Sequence, residues 1–342
     1  MGKRQASARP WQAPARVVAV GASMGGVEAL RALFASLPAD VAAAFVVVLH
    51  RSSGENVMSA ILGRASGLPA RLAADGEALE PGCIYVAPPG FHTCVDDERL
   101  RVALGPRENG NRPSVDVLFR SVARSWTTRA VGIVLSGALD CGAGGLAEIK
   151  RRGGVAIVQD PESAINPQMP RSALDVVRAD HVAPPAAIGA LVAQLSVKPP
   201  SRRRRAGAGS PSERPSSFAC PECNGPIWES AGAEQYRCRV GHRYAAESFF
   251  NQKERRLENA LWEALNVMQE RIELSHRMAA RARENGHETT AARYELRASE
   301  TDENAALLRD LIYRSDGALP IDDAPRLPDK ARKSRRRGKR SV

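Results

Sequence analysis

No stretch of this 342-residue chain approaches the ~20 consecutive apolar residues that span a bilayer, so it is read as not transmembrane. The first sixteen residues carry Lys3, Arg4, Arg9 and Arg16 but no apolar core, so they do not form a secretory signal, and the expected location is the cytoplasm. Cysteine is sparse. Cys220, Cys223 and Cys238 cluster and Cys83, Cys94 and Cys141 are scattered, which is not the pattern of a disulfide framework. An excess of basic charge, net +11, invites a nucleic-acid reading. Its distribution argues against one. Six basic residues and one acid lie between Lys198 and Arg214, and eight and one between Asp329 and Val342. The remaining chain therefore sums to −1, and no folded face is left to read a nucleic-acid sequence.

What is present has a clear order. Between Arg16 and about Leu195, apolar runs at Val17–Val20, Ala44–Leu49, Ile84–Ala87, Ala130–Leu135 and Val155–Val158 read as strands, several of them continuous enough to be buried on both faces. Helical patterns at Val27–Leu37, Val115–Trp126 and Ala143–Arg151 alternate with them, and Thr93–Ala103 reads as a hairpin. This predicts an α/β domain: an open, mostly parallel sheet with helices on both faces. The domain plan is a disordered lead over 1–15, the α/β domain over 16–195, a basic disordered linker over 196–217, a small metal-binding module over 218–250, a helical hairpin over 251–315 and a disordered basic tail over 316–342. The hairpin rests on apolar stripes, Leu257, Leu261, Leu265, Met268 and Ile272 in one helix and Tyr294, Ala298, Thr301, Ala305, Leu308 and Ile312 in the next, separated near Gly286. Such stripes pack against each other or against another subunit.

The first strand runs into Gly21-Ala22-Ser23-Met24-Gly25-Gly26 and then a helix. Gly-x-Ser-x-Gly at a strand-to-helix turn exposes a serine hydroxyl, and the helix N-terminus offers free N–H groups to a developing oxyanion. The same loop type also cradles phosphate or is simply a tight turn. A dinucleotide fingerprint, however, needs glycine in place of Ser23 and an acid at the end of the second strand, where this chain has His50, and no Walker lysine follows. A histidine in that place is structural or catalytic. In a parallel sheet, both Ser23 and His50 leave carboxyl ends of strands toward one crevice, which makes His50 the candidate base for Ser23. The loop after the fourth run, Ser136 to Gly145, carries Asp140, which either orients His50 or caps the helix that follows.

Taken together, Val18 to Gly26, Val46 to His50, Tyr85 to Pro89, Asn111-Arg112-Pro113-Ser114-Val115-Asp116-Val117-Leu118-Phe119, Leu135 to Gly145, Gln159-Asp160 and Met169-Pro170-Arg171 resemble the catalytic domain of CheB-type protein-glutamate methylesterases, over roughly residues 16 to 195. The resemblance implies hydrolysis of glutamyl methyl esters on a methylated chemoreceptor-like protein, often with glutamine deamidation, no cofactor for catalysis, Ser23 as nucleophile, His50 as base, and the Met169-Pro170 turn close by. Two departures stand out. No receiver domain is expected ahead of Ser23. Aligned on Gly142, the family's triad aspartate falls on Cys141, with Asp140 one place earlier, and a neutral thiol cannot stabilise an imidazolium. Asp140 is therefore the expected acid. The alternative is a catalytically weak or inactive signalling scaffold of the same fold.

Cys220-x₂-Cys223 followed by Cys238-x₃-His242 supplies four soft ligands in two close pairs, the donor set of a closed structural zinc site. Similar cysteine modules followed by long helices extend some CheB-type proteins. This favours a docking or regulatory role, with a signalling partner or self-association through the C-terminal helices.

Overall fold

A computed structural model of the chain describes residues 13–50, 57–197, 200, 213–230 and 235–315. Its elements are, in chain order, β1 (Arg16–Ala22), α1 (Gly26–Ala35), β2 (Ala43–Leu49), α2 (Met58–Ser66), β3 (Ala70–Leu72), β4 (Ile84–Val86), β5 (His92–Asp96), β6 (Arg99–Ala103), α3 (Val115–Trp126), β7 (Ala130–Val134), α4 (Ala143–Arg151), β8 (Val155–Gln159), α5 (Gln168–Val176), β9 (His181–Ala183), α6 (Pro185–Val197), β10 (Glu213–Ala219), β11 (Pro226–Ser230), β12 (Gln235–Cys238), β13 (Arg243–Ala245), α7 (Ala246–Glu284) and α8 (Glu288–Ser315).

Seven strands form one sheet in the order β3-β4-β2-β1-β7-β8-β9, and every pairing in it is parallel. Side chains on β1 alternate between two separate cores. Val17 and Ala19 pack with Leu118, Phe119 and Val122 of α3 and Leu146 and Ile149 of α4, and Met169 of α5 joins this core. Val18, Val20 and Ala22 pack with Leu30, Leu33 and Phe34 of α1, Leu62 of α2 and Ile188 of α6. Burial on both faces is why these strands are continuous apolar runs. The expected α/β architecture is present, with helices on both faces. The outer strands β3 and β9 lack such runs because each has only three residues and is half-exposed. The expected hairpin is β5 with β6.

Strands β10 to β13 form a four-stranded antiparallel sheet. Residues 213–217, expected in the linker, belong to β10, and the long helix begins at Ala246 rather than after 250. The rest of that linker apart from residues 196, 197 and 200, the tail from residue 316 and the lead up to residue 12 lie outside the described residues. By contact the chain divides into a unit ending at Gln252 and a second beginning at Lys253, within α7. In the second, Leu265 of α7 packs with Ala305 and Ile312 of α8. Gly286, at φ 75°, closes the first helix of this pair, as the expected hairpin requires. No helix among the described residues is long and apolar enough to cross a membrane.

Candidate active site and metal centre

Register places the Ser23 turn and His50 side by side. Ala22 at the end of β1 stands opposite Leu49 at the end of β2, so Ser23 and His50 are the next residues out on adjacent strands. The His50 N–H donates to the Ala22 carbonyl at 3.0 Å. On the other flank of β1, the Ser136 carbonyl after β7 accepts from the Ser23 N–H at 2.9 Å. Chain connections leave β1 toward β2 on one side and return to β7 on the other, so the crevice beyond these carboxyl ends is the switch point of the sheet, where open α/β folds bind ligands.

Three loops are tied together there. The Ser136 hydroxyl donates to the Met24 carbonyl at 2.7 Å and accepts from the Asn166 N–H at 2.9 Å, while the buried Gln159 side chain accepts from the Ser136 N–H at 2.8 Å. Gly25 adopts φ 72°, and a Cβ on it would sit 2.5 Å from Cβ of Ile165. A side chain is thus refused by both conformation and space. A Cβ on Gly137 would sit 2.0 Å from Met169 Sδ and 2.8 Å from Ser23 Cβ. Met169 therefore lies beside the Ser23 turn, from the first turn of α5. Because the Ser23 N–H is spent on Ser136, the unpaired N–H groups nearby among the described residues are those of Met24, Gly25 and Ala138.

His50 is half-buried, and its Nε2 is shut off from solvent without a hydrogen-bond partner. Burial pushes its pKa down to about 4, so the ring is neutral at pH 7, the form a general base needs. No hydrogen bond joins it to Ser23, Asp140 or Cys141 among the described residues.

Asp140 is engaged elsewhere. Its carboxylate accepts from the N–H groups of Glu247 at 3.1 Å and Ser248 at 3.3 Å and from the Ser248 hydroxyl. These are the second and third residues of α7, so Asp140 caps that helix and meets the positive end of its dipole. Sequence reasoning offered two roles for this residue, orienting acid or cap of the helix that follows it. In this structure its carboxylate makes the hydrogen bonds of neither. The helix that follows, α4, is instead held by Asp116 of α3, which accepts from Gly142 N–H at 2.8 Å, Gly145 N–H at 2.6 Å and Asn109 Nδ2 at 2.9 Å. Cys141 turns into the core, only 2% exposed, with its Sγ 3.5 Å from Ser114 Oγ. Burial, and then the Asp116 carboxylate, push its thiol up to about 12, so it stays neutral.

Sequence reasoning missed Ser248, Asn109 and Asp116 as holders of this loop. One signal was available: α7 is preceded by Ala245, a poor N-cap, which points to a cap supplied from elsewhere in the fold.

Cys220, Cys223, Cys238 and His242 meet at the turns before β11 and β13, with one ligand atom from each lying within 4.8 Å of the others. Their contacts are 3.6 Å between Cys223 and Cys238 Sγ, 3.3 Å from Cys238 Sγ to His242 Nδ1, and 3.7 Å from Cys220 Sγ to that nitrogen. A tetrahedron built on zinc–sulfur bonds of ~2.3 Å has edges of about 3.7 Å, so the donors fit zinc. Glu222 lies 3.2 Å from the far nitrogen of His242, and the Tyr244 hydroxyl 3.5 Å from Cys220 Sγ, the supporting contacts a metal-bound imidazole and thiolate need. The buried core beneath is small, Ile227, Tyr244 and Phe249 beside two of the cysteines. Bound zinc would tie the two turns together and supply what that core lacks.

A serine on a glycine turn, a neutral histidine on the neighbouring strand end and unpaired N–H groups around them lie together at the switch point of a parallel sheet. The sequence model of the CheB methylesterase family matches residues 18–192, and the chain belongs to that family. A protein-glutamate methylesterase/protein-glutamine glutaminase of Anaeromyxobacter dehalogenans is 45% identical over 184 residues, 52% of this chain and 50% of its own. One from Xanthomonas oryzae is 40% identical over 173 residues, 49% of this chain and 48% of its own. A relative from Leptospira interrogans is 36% identical over 169 residues, 48% of this chain and 86% of its own. This chain thus spans about half the length of the first two. The crystal structure of the Thermotoga maritima CheB methylesterase catalytic domain matches with a TM-score of 0.51 at 29% identity, covering 53% of this chain and 98% of that one.

Proposed function

We propose that this chain is a protein-glutamate methylesterase that hydrolyses glutamyl methyl esters on a methylated chemoreceptor-like protein in the cytoplasm, and that it also deamidates glutamine. Ser23 Oγ attacks the ester carbonyl while His50 takes its proton. The tetrahedral oxyanion meets unpaired N–H groups of the Met24–Gly25 turn and Ala138, methanol leaves with the proton from His50, and water hydrolyses the acyl-serine by the same route. The observation that carries this reading is the register of β1 with β2, which sets Ser23 beside a histidine kept neutral by burial. The alternative of an inactive scaffold is supported by Cys141 alone. The unpaired ring of His50 does not favour that alternative, because catalytic hydrogen bonds often form only with substrate bound.

The test is methanol release from a methylated receptor fragment by the full chain. Ser23→Ala and His50→Gln are each expected to lower the rate by about 10³-fold or more. Equal rates in wild type and Ser23→Ala would refute the assignment. Zinc at Cys220, Cys223, Cys238 and His242 is proposed as structural, and one equivalent retained through dialysis and lost in Cys238→Ser is the expected result.

A further inference from the structure

Asp140, the carboxylate of the loop after β7, is held by the start of α7, and the backbone that presents it is strained. Leu139, immediately before Asp140, sits at φ 64°, a left-handed conformation unfavourable for a bulky L-residue. It is kept there by Gln168, whose side chain accepts from its N–H at 3.2 Å, and by Ser172, whose hydroxyl reaches its carbonyl at 3.4 Å. Strain of this kind persists only while surrounding contacts over-determine it.

Those contacts lead back to the metal module. Arg243 directly follows His242, and its carbonyl accepts from the Asn109 N–H at 2.8 Å, while the Ala245 N–H donates to Asn109 Oδ1 at 2.8 Å. Asn109 Nδ2 donates to Asp116, which in turn holds the N–H groups of Gly142 and Gly145. Glu108 adds ion pairs to Arg120 and Arg243. The loop carrying Asp140 is therefore gripped from one side by Ser248 and Glu247 of α7 and from the other through Asn109 and Asp116. Both grips depend on the segment that leaves the metal site.

We propose that the metal module and the first turn of α7 form an autoinhibitory latch that keeps the Asp140 carboxylate on Ser248, and that release of the latch lets Leu139 relax and turns Asp140 toward His50. This inference rests on the reading of Ser23 and His50 as the esterase pair. Ser248 acts here as a positioning residue, deciding which group the carboxylate faces. The input that opens the latch is whatever pulls α7 or the metal module off the α/β domain, so the second unit is the handle.

The full-length, metal-loaded protein tests it through Ser248→Asp, which sets a like charge against Asp140. Three readouts are followed: hydrogen exchange at the Glu247 and Ser248-position amides, the NMR titration of the His50 ring, and hydrolysis of p-nitrophenyl acetate. Exchange is expected to rise at least 10-fold and hydrolysis about 10-fold. The His50 pKa is expected to climb from about 4 to above its ordinary ~6.5, because a carboxylate now stabilises the charged ring. Adding Asp140→Asn to Ser248→Asp removes the carboxylate that would face His50 and should cancel the rise in the His50 pKa and in hydrolysis. Leu139→Gly, which removes the strain of the latched form, should lower hydrolysis. Stripping the metal with 1,10-phenanthroline is a second way to release α7. If the amides open under either treatment while the His50 titration stays near 4, Asp140 is only a helix cap and the latch is refuted. If neither treatment opens them, α7 is not a releasable element and the proposal fails equally. Hydrolysis that survives Ser23→Ala would instead sink the esterase reading, and the His50 titration would still report on the latch.

Discussion

A histidine with a buried, partnerless Nε2 titrates far from solution values, and His50 has consequences on both activity and stability. Its neutral form is favoured by burial, down to a pKa of about 4. The acid limb of kcat/KM for the free enzyme is therefore expected near pH 4 and not near ~6.5, the value of an unperturbed ring. The linkage has the same sign. An unfolded chain binds the proton near pH ~6.5 and the fold resists it until about 4, so stability present above ~6.5 falls as pH drops through that window, by about 3 kcal/mol. Urea denaturation at pH 7 and pH 4 should show this loss in wild type and a smaller one in His50→Gln. Cys141, in contrast, is a packed neutral thiol. Cys141→Ala is expected to cost about 1–2 kcal/mol of stability and leave ester hydrolysis unchanged. A loss of hydrolysis beyond 10-fold in a well-folded Cys141→Ala protein would give the thiol a chemical role it lacks here.

The turns that carry these side chains are built on close approach. Gly137 lies so near Ser23 and Met169 that a single methyl has no room. Gly137→Ala is expected to displace the Ser23 turn, costing about 1–3 kcal/mol in stability and roughly 10²-fold in hydrolysis. Thermal unfolding and steady-state kinetics would separate the two. The glycines, the strand ends and the placing of Ser23 beside His50 on neighbouring strand ends were legible in the sequence because each leaves a local mark: an apolar run buried on both faces, a residue without Cβ, a motif of fixed spacing. Strands β3 and β9 left none, being short and half-exposed. The fate of Asp140 was not legible either. Its partner Ser248 is 108 residues away, on a helix whose own sequence offers no cap, and no local pattern connects the two. The same holds for Asp116: its place in a matching motif is visible, but its hold on Gly142 and Gly145 depends on how α3 packs against α4.

Across the chain, the α/β sheet has two large cores of its own, whereas the β10–β13 sheet has a handful of buried side chains and a Cys₃His cluster. Metal removal should therefore act unevenly. Hydrogen exchange after chelation is expected to rise throughout β10, β11, β12 and β13 and to leave β1, β2 and β7 protected. Uniform exchange across both sheets would show that the small module stabilises the whole unit.

The central claim is that Ser23 is a nucleophile made reactive by His50. Covalent labelling by a fluorophosphonate, mapped by mass spectrometry, tests it most directly. One adduct on Ser23 in wild type, slowed by about two orders of magnitude or more in His50→Gln, is the outcome expected of that pair. A wild-type protein left unlabelled at Ser23, or labelled there just as fast without the imidazole, would contradict it.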